Sequence, residues 1–171
     1  EQDVDVEDLQ RDVDEMSRML EAYLAFARGD SGEVAVPTDL HALLEDLRTD
    51  IERLGAHVEA VDIDAPASVT MRPDAVRRCL FNLAANAARY ADTVAIMARR
   101  ALRPVPISID DARPGIALAQ REEVFKPFVR LDDSRQDAGG SGLGLSIARD
   151  IARSHGGDVT LHDSPLGGLR A

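Results

Sequence analysis

The chain has 171 residues, of which 44% are apolar, and its formal net charge is −11 at pH 7. This length and apolar content suit one compact domain with an appendage, and the negative charge argues against nucleic acid or an anionic membrane as the main partner. The single cysteine, Cys79, excludes an internal disulfide and a cysteine-based zinc cluster, and no apolar run approaches the ~18 residues of a membrane-spanning helix.

The first thirty residues place apolar or aromatic side chains at alternating spacings of three and four, from Val6 to Ala27. This pattern is typical of a coiled-coil seam about three heptads long, on a helix that Gly29 ends. A single helix cannot bury such a stripe, so the pattern predicts a partner helix in a dimer or bundle; packing against its own domain is the alternative. The turn composition of residues 30–33 places a domain boundary at about residue 31, between segments 1–30 and 31–171.

The next elements alternate between helix and strand. Pro37-Thr38-Asp39 is predicted to open a helix with leucines on one face, which ends near Gly55. Residues 57–63 alternate like a half-buried strand, and Val69 and Met71 predict a short strand that partners it.

A further helix is predicted from Asp74 to about Tyr90, because Pro73 suits a first helical turn. Asn82 and Asn86 lie four residues apart and therefore share a face of this helix, with Arg89 one turn later. Since asparagine is a poor helix former, the pair favours a binding site, in which an amide oxygen ligates Mg²⁺ and Arg89 meets substrate phosphates. Two solvated or interhelical asparagines are the alternative.

Two more stretches, 93–99 and 105–110, alternate like strands of one sheet. The turn after them begins at Asp111, and a carboxylate in such a turn can accept a hydrogen bond from an exocyclic amine such as that of adenine. An ordinary Asx turn is the alternative. Residues 120–124 are predicted to be helical, and residues 131–138 have the composition of a flexible lid.

A glycine-rich loop at residues 139–144 precedes a predicted helix that ends before Gly156. Backbone N–H groups of such a loop approach an anion closely, and the helix N-terminus adds unpaired donors, so a phosphate is the favoured ligand. Two common phosphate loops are excluded, because Leu145 stands where a dinucleotide fingerprint needs glycine and where a P-loop needs lysine. A linker that merely ends in a helix is the alternative. Further on, Val159 and Leu161 predict a strand, residues 165–168 a turn and residues 169–171 the start of a last strand.

Four segments together resemble the N, G1, F and G2 boxes of bacterial sensor histidine kinases, in order and in spacing: residues 82–90, 111–116, 125–128 and 140–145. The osmosensor (EnvZ) subtype is the most similar, on Asn-Ala-Ala-Arg-Tyr at 86–90 and Pro-Phe-Val-Arg at 127–130. The resemblance implies an α+β fold, a two-layer α/β sandwich of the Bergerat or GHKL type, in which helices cover a mixed sheet. It also implies that the heptad helix is the second helix of a dimerisation and phosphotransfer hairpin.

The resemblance further implies that ATP and Mg²⁺ bind here. Asn86 would ligate the metal beside Asn82, Arg89 and Tyr90 would lie near the phosphates, and Asp111 would accept from the adenine amine. The full set of implied cofactor-binding residues is Asn82, Asn86, Arg89, Tyr90, Asp111, Gly115, Gly140, Gly142, Leu143 and Gly144.

The implied activity is transfer of the ATP γ-phosphoryl group to a histidine, for relay to a response regulator, in a homodimer formed through the heptad helix. The setting would be the cytoplasmic part of an inner-membrane sensor, with no nucleic acid bound and no membrane contact by this segment. The acceptor motif of the family is absent around all four histidines, so the accepting residue is expected outside this chain. Those histidines are His41, His57, His155 and His162.

Arg113 departs from the family pattern, since it stands where the G1 box has its first glycine. A long side chain there is expected to crowd the nucleotide; the alternatives are that Arg113 turns outward or binds phosphate itself. The alternative function is therefore a degenerate, non-enzymatic module that senses nucleotide or docks a partner. A chaperone-type or mismatch-repair-type ATPase of the same superfamily is disfavoured by the short lid and the heptad helix.

Overall fold

The computed structural model describes residues 13, 16, 17, 32–100, 105–112, 114–131 and 141–171. Val13, Met16 and Ser17 are helical and exposed, and the rest of the predicted heptad helix lies outside the described residues. Its pairing with a second helix, and the domain boundary at residue 31, stay predictions. Within the described ranges, none of the helices combines the length and apolar character needed to cross a bilayer.

The described chain forms a series of strands and helices that mostly follow the sequence pattern. Short 3-10 turns occupy Leu118–Gln120 and Glu123–Phe125. The main elements are β1 (Val36–Asp39), α1 (Leu40–Arg53), β2 (His57–Asp64), β3 (Ser68–Met71), α2 (Pro73–Tyr90), β4 (Thr93–Arg99), β5 (Ile107–Asp111), α3 (Gly144–Ser154), β6 (His162–Asp163) and β7 (Leu169–Arg170).

Five strands form one mixed sheet in the order β2-β4-β5-β7-β6, in which β2 and β4 are parallel and the other neighbours antiparallel. Helix α1 packs on β2, α2 packs on β4 and β5, and α3 packs on α2. The core lies between these layers, where Leu44 and Ile51 of α1 and Ile96 of β4 are fully buried. The predicted sandwich of a mixed sheet covered by helices is confirmed.

Strand β2 keeps its apolar side chains on one face by means of an irregularity. Val58 and Val61 are three residues apart, which would place them on opposite faces of a regular strand. The register against β4 shifts between Val58 and Ala60, so one extra residue restores the phase. Val61 and Ile63 then pack against the core while Asp62 is exposed.

At the beginning of the domain, the helix predicted after Pro37-Thr38-Asp39 is present, but the place of Pro37 and the partner of β3 were predicted wrongly. Pro37 does not open helix α1 but lies in the strand β1, and the helix begins at Leu40 with Asp39 as its N-cap, whose carboxylate accepts the Ala42 N–H at 3.1 Å. Proline is tolerated there because β1 has a single neighbour in its two-stranded sheet. That neighbour is β3, which therefore does not partner β2 as the sequence suggested.

The C-terminal part also differs in one element. Val159 and Leu161 are buried but belong to no strand, and the strand β6 follows them at His162–Asp163. The other predictions hold: α3 ends before Gly156, which has φ +80°, and the chain enters the last strand, β7, after a turn at Gly167.

Candidate functional site

A cavity of about 680 Å³ lies where α2, the loop after β5, the 3-10 turns and the start of α3 meet. Its described lining contains two arginines and one carboxylate, so this part of the lining is positively charged although the chain is strongly acidic. Eight of the ten residues predicted to bind nucleotide line this cavity: Asn82, Asn86, Arg89, Tyr90, Asp111, Gly115, Gly142 and Gly144. Their roles stay predictions.

Helix α2 supplies one wall of the cavity. Asn82 and Asn86 are half-buried there, one turn apart, while Leu83 and Ala87 on the other side of the helix are buried in the core. Arg89 continues the same face as an exposed side chain. The helix thus presents two amides and a guanidinium to the cavity because helical spacing separates them from the apolar stripe.

Asp111 faces the cavity from the end of β5. Strand alternation places Ile109 in the core, Asp110 on the opposite face and Asp111 back on the core side, where it is 6% exposed. The Leu169 N–H donates to Asp111 Oδ1 at 2.9 Å. The carboxylate is therefore held by the backbone of β7 and is not a solvent-facing turn residue.

Gly115 meets protein backbone as well as the cavity. A Cβ atom at this position would lie 3.2 Å from the carbonyl oxygen of Gly168, in the turn that leads into β7. That distance is tighter than ordinary van der Waals contact, so a side chain would push the loop away from β7. The need for glycine here arises at least partly from packing between two loops.

Gly142 is constrained more strongly than Gly144, the other described glycine of its loop. It has φ +68°, and a Cβ atom would lie 2.8 Å from the Cα and the carbonyl carbon of Phe128. Gly144 begins α3, and its Cβ atom would meet Asn82 at an ordinary 3.9 Å. Any requirement for glycine at 144 would therefore come from a ligand, whereas Gly142 is required by the protein itself.

Three residues singled out from the sequence are not among the described residues that line the cavity. Leu143 is 4% exposed and belongs to the core, so its side chain does not line the cavity. Gly140 and Arg113 lie outside the described residues. Whether Arg113 crowds a nucleotide stays a prediction.

The cavity suits a phosphorylated ligand with an aromatic base. Leu143, the N-cap residue of α3, makes no side-chain capping bond, so its side chain does not compete for the N–H groups of the first turn, which begins at the cavity-lining Gly144. Arg89 lines the same cavity. Apolar side chains such as Ile116 and Val124 also line the cavity and could pack against a base.

A metal ion in this cavity would depend on its substrate. Within the described ranges, no group of three or more His, Cys, Asp or Glu side chains could hold a metal. Mg²⁺ commonly keeps several waters and takes further ligands from phosphate oxygens, so a single amide oxygen from Asn86 fits such an ion.

Two arginines that the sequence did not single out fix segments next to residues that line the cavity. Arg121 donates to the Ile116 carbonyl at 3.0 Å and to the Leu161 carbonyl at 3.3 Å, and it also pairs with Asp163. Its side chain is only 14% exposed. The loop after β5 is thereby attached to the segment before β6.

Arg149 of α3 holds the second 3-10 turn. It donates to Glu122 at 2.8 Å and to Asp158 at 2.9 Å, and its guanidinium lies 4.2 Å from the centroid of the Phe125 ring. Hydrogen bonds from Arg149 hold the pKa of Asp158 and of Glu122 below their ordinary values. Sequence patterns could not reveal these contacts, because the partners lie 9 to 27 residues away along the chain.

Comparison with known proteins gives consistent matches. Residues 71–171 match the family described as histidine kinase-, DNA gyrase B-, and HSP90-like ATPase. The chain is 35% identical over 175 residues to the sensor protein RstB of Escherichia coli K12, covering 95% of this chain and 39% of RstB. It is 29% identical over 174 residues to the sensor histidine kinase CpxA of the same organism, covering 97% of this chain and 38% of CpxA.

Among solved structures, the ATP binding domain of PrrB from Mycobacterium tuberculosis is similar with a TM-score of 0.64 and 29% identity. The similarity covers 80% of this chain and 92% of that one. The chain spans less than two fifths of the length of the two curated relatives, RstB and CpxA.

Proposed function

Because the chain belongs to the family of histidine kinase-, DNA gyrase B- and HSP90-like ATPases, as an ATP-binding domain of the sensor histidine kinase type, we propose that it transfers the γ-phosphoryl group of Mg·ATP to a histidine outside the chain. The supporting observation is that Asn86, Asp111 and the start of α3, whose N-cap residue makes no side-chain capping bond, face one cavity. The comparisons do not favour the alternative of a degenerate, non-enzymatic module.

In this proposal, one end of the cavity binds the adenine base and the other end binds the phosphates. Asp111 accepts a hydrogen bond from the adenine amine, and its contact with the Leu169 N–H fixes the direction of the carboxylate. Arg89 and the first turn of α3 bind the phosphates through charge and through unpaired N–H groups. Asn86 supplies an amide oxygen to Mg²⁺, which offsets the charge that develops during phosphoryl transfer.

Phosphoryl transfer needs little covalent chemistry from the protein, so alignment of the γ-phosphoryl group with the accepting histidine is the main requirement. The histidine would be carried by the other helix of the dimerisation hairpin, and a response regulator would receive the phosphoryl group afterwards. Both partners and the homodimer belong to this proposal, since the chain spans only part of its curated relatives.

The test has two steps. Calorimetric titration with ATP in the presence of Mg²⁺ should show binding at one site, and absence of binding would overturn the proposal. The chain incubated alone with labelled ATP should gain no acid-labile phosphate, whereas a separate hairpin segment that carries an acceptor histidine should become labelled in trans. Stable label on His41, His57, His155 or His162 would contradict the external acceptor.

A further inference from the structure

Strand β7 closes onto β5 through an irregular ladder. Ile109 and Ala171 exchange two backbone hydrogen bonds, at 2.9 and 3.0 Å. The antiparallel register places Leu169 opposite Asp111 as the next such pair. At that pair the Leu169 N–H donates to the side-chain oxygen Oδ1 of Asp111, at 2.9 Å. The Asp111 carboxylate therefore takes the place of a backbone acceptor in the hydrogen-bond ladder between β5 and β7. The direction of the carboxylate depends on the position of β7.

An ion pair on the opposite face of the sheet holds the same two strands together. Arg170 donates from Nε to Asp110 Oδ1 at 2.8 Å and from Nη2 to Oδ2 at 3.1 Å. Asp110 is completely buried, whereas the side chain of Arg170 is 32% exposed. A bidentate pair of this kind fixes geometry as well as charge, and a buried carboxylate without its cation is costly. The ion pair thus fixes β7 beside β5 right next to the Asp111–Leu169 contact, because Asp110 precedes Asp111 and Arg170 follows Leu169 in the sequence.

We propose that Arg170 is a positioning residue for recognition of the nucleotide base. By clamping β7 onto β5 through Asp110, it keeps the Leu169 N–H in place to orient the Asp111 carboxylate towards the cavity. The carboxylate selects a purine that carries an amine at its six position, because an amine donates to it, whereas a six-oxo group would present a second acceptor. The inference rests on the proposed function, since it concerns the nucleotide bound in the same cavity.

The test compares adenosine diphosphate with inosine diphosphate, which has an oxo group in place of the amine. Calorimetry on the complete chain should give an affinity for adenosine diphosphate at least about tenfold higher, as expected for one hydrogen bond to a charged group. In Arg170→Gln this ratio should fall to about threefold or less, because affinity for adenosine diphosphate drops while affinity for inosine diphosphate changes little. A purely structural role would weaken both ligands equally and leave the ratio unchanged.

Two further variants keep the result decisive. Arg170→Lys retains a cation beside the buried Asp110 but loses the bidentate geometry, so it should remain folded and give a ratio between those of the wild type and Arg170→Gln. Arg99→Gln is the matched control, because it removes an exposed ion pair with Asp62 of 2.6 Å between β4 and β2, away from the cavity. Its ratio should equal that of the wild type.

The outcomes separate this inference from the proposed function. An unchanged ratio in Arg170→Lys and in folded Arg170→Gln would overturn the positioning role while leaving nucleotide binding intact. Failure of the wild type to bind adenosine diphosphate would overturn both. Equal affinity of the wild type for the two diphosphates would overturn the role of Asp111 in base selection, and with it the role of Arg170.

Discussion

The backbone N–H of Phe128 donates to the carbonyl oxygen of Gly142 at 2.9 Å, and the two residues have positive φ angles of +67° and +68°. This bond joins the two residues that lie directly before and directly after residues 129–141. Phe128 adopts a left-handed backbone conformation that residues other than glycine rarely adopt. The backbone of Phe128 is therefore held in a costly conformation beside Gly142, which lines the cavity and adopts its positive φ without strain.

Replacing Gly142 with alanine should disturb this contact. The new Cβ atom would lie 2.8 Å from backbone atoms of Phe128, and the positive φ adds strain of about 1–3 kcal/mol. We expect weaker nucleotide binding together with a lower melting temperature. Calorimetry and thermal unfolding would measure the two effects.

Gly156→Ala is the matched control for that variant. Gly156 also has a positive φ, +80°, but a Cβ atom there would meet no atom within 4 Å, and the residue lies away from the cavity at the end of α3. It should lose stability through φ alone and keep full nucleotide affinity. Equal effects of the two variants on affinity would show that the contact with Phe128 does not matter.

Local patterns predicted the parts of the molecule that depend on short spacings. Asn82 and Asn86 share a face because helical periodicity requires it, and Asp111 stands at a strand end because alternation and a turn follow one another there. Their meeting in one cavity was implied only by resemblance, since it depends on how α2 packs against β5.

Long-range contacts could not be predicted in this way. The partners of Arg121, Arg149 and Arg170 are set by tertiary packing, and an arginine that pairs across the fold leaves no periodic pattern in the sequence. Pro37 was misassigned because proline suits both a helix start and an edge strand, and only the pairing of β1 with β3 decides between them.

The second prediction concerns Asn86 and the metal. Asn86→Ala should abolish the part of ATP binding that depends on Mg²⁺, because it removes an amide oxygen from the cavity while leaving an efficient helix former in its place. Titration with and without EDTA would measure this part. Asn86→Asp, which keeps an oxygen ligand, should preserve it. Equal affinities of wild type and Asn86→Ala in Mg²⁺ would rule out the assignment.

The third prediction follows from the contacts of Arg149. Arg149→Met should lower the free energy of unfolding at pH 7 by about 1–2 kcal/mol, since it removes hydrogen bonds to charged groups from a side chain only 12% exposed. Arg149 lowers the pKa of Asp158 and Glu122, so its stabilisation is present above their unfolded pKa of about 4.

The difference between wild type and Arg149→Met should therefore stay constant from pH 5 to pH 8 and shrink as the pH falls below about 4. Denaturant unfolding at several pH values would measure it. Arg48→Met is the control, because Arg48 makes similar bonds to Glu45 and Glu52 on the exposed face of α1 and should contribute little. A difference that grows towards low pH would contradict the argument.

The fourth prediction concerns Cys79, which packs between α2 and α3. Burial raises the pKa of its thiol to about 12, and its Sγ donates to the Ala148 carbonyl at 3.3 Å. Since the thiolate is the reactive form, iodoacetamide at pH 8 should label the folded chain slowly and the unfolded chain readily. Saturating ATP should slow labelling further if it stabilises the fold. Mass spectrometry over time would measure both rates, and rapid labelling of the folded chain would contradict the burial.

The last prediction concerns Glu33 and the domain boundary at residue 31. The Glu33 carboxylate accepts the N–H groups of Asp74 at 2.7 Å and Ala75 at 3.1 Å, at the first turn of α2. The N-cap residue of that helix, Arg72, makes no capping bond through its side chain, so Glu33 caps the helix from 41 residues away.

A chain that begins at residue 32 should therefore be as stable as segment 31–171, whereas a chain that begins at residue 35 should lose about 1 kcal/mol, a typical value for removal of a helix cap. Glu33→Ala in the complete chain should reproduce that loss. Glu33→Gln should recover part of it, since the amide oxygen still accepts a hydrogen bond but no longer offers negative charge to the helix N-terminus. Glu45→Ala, on the exposed face of α1, is the control and should change little. Urea unfolding would measure all of these chains, and equal stability of the chains that begin at residues 32 and 35 would place the boundary after Glu33.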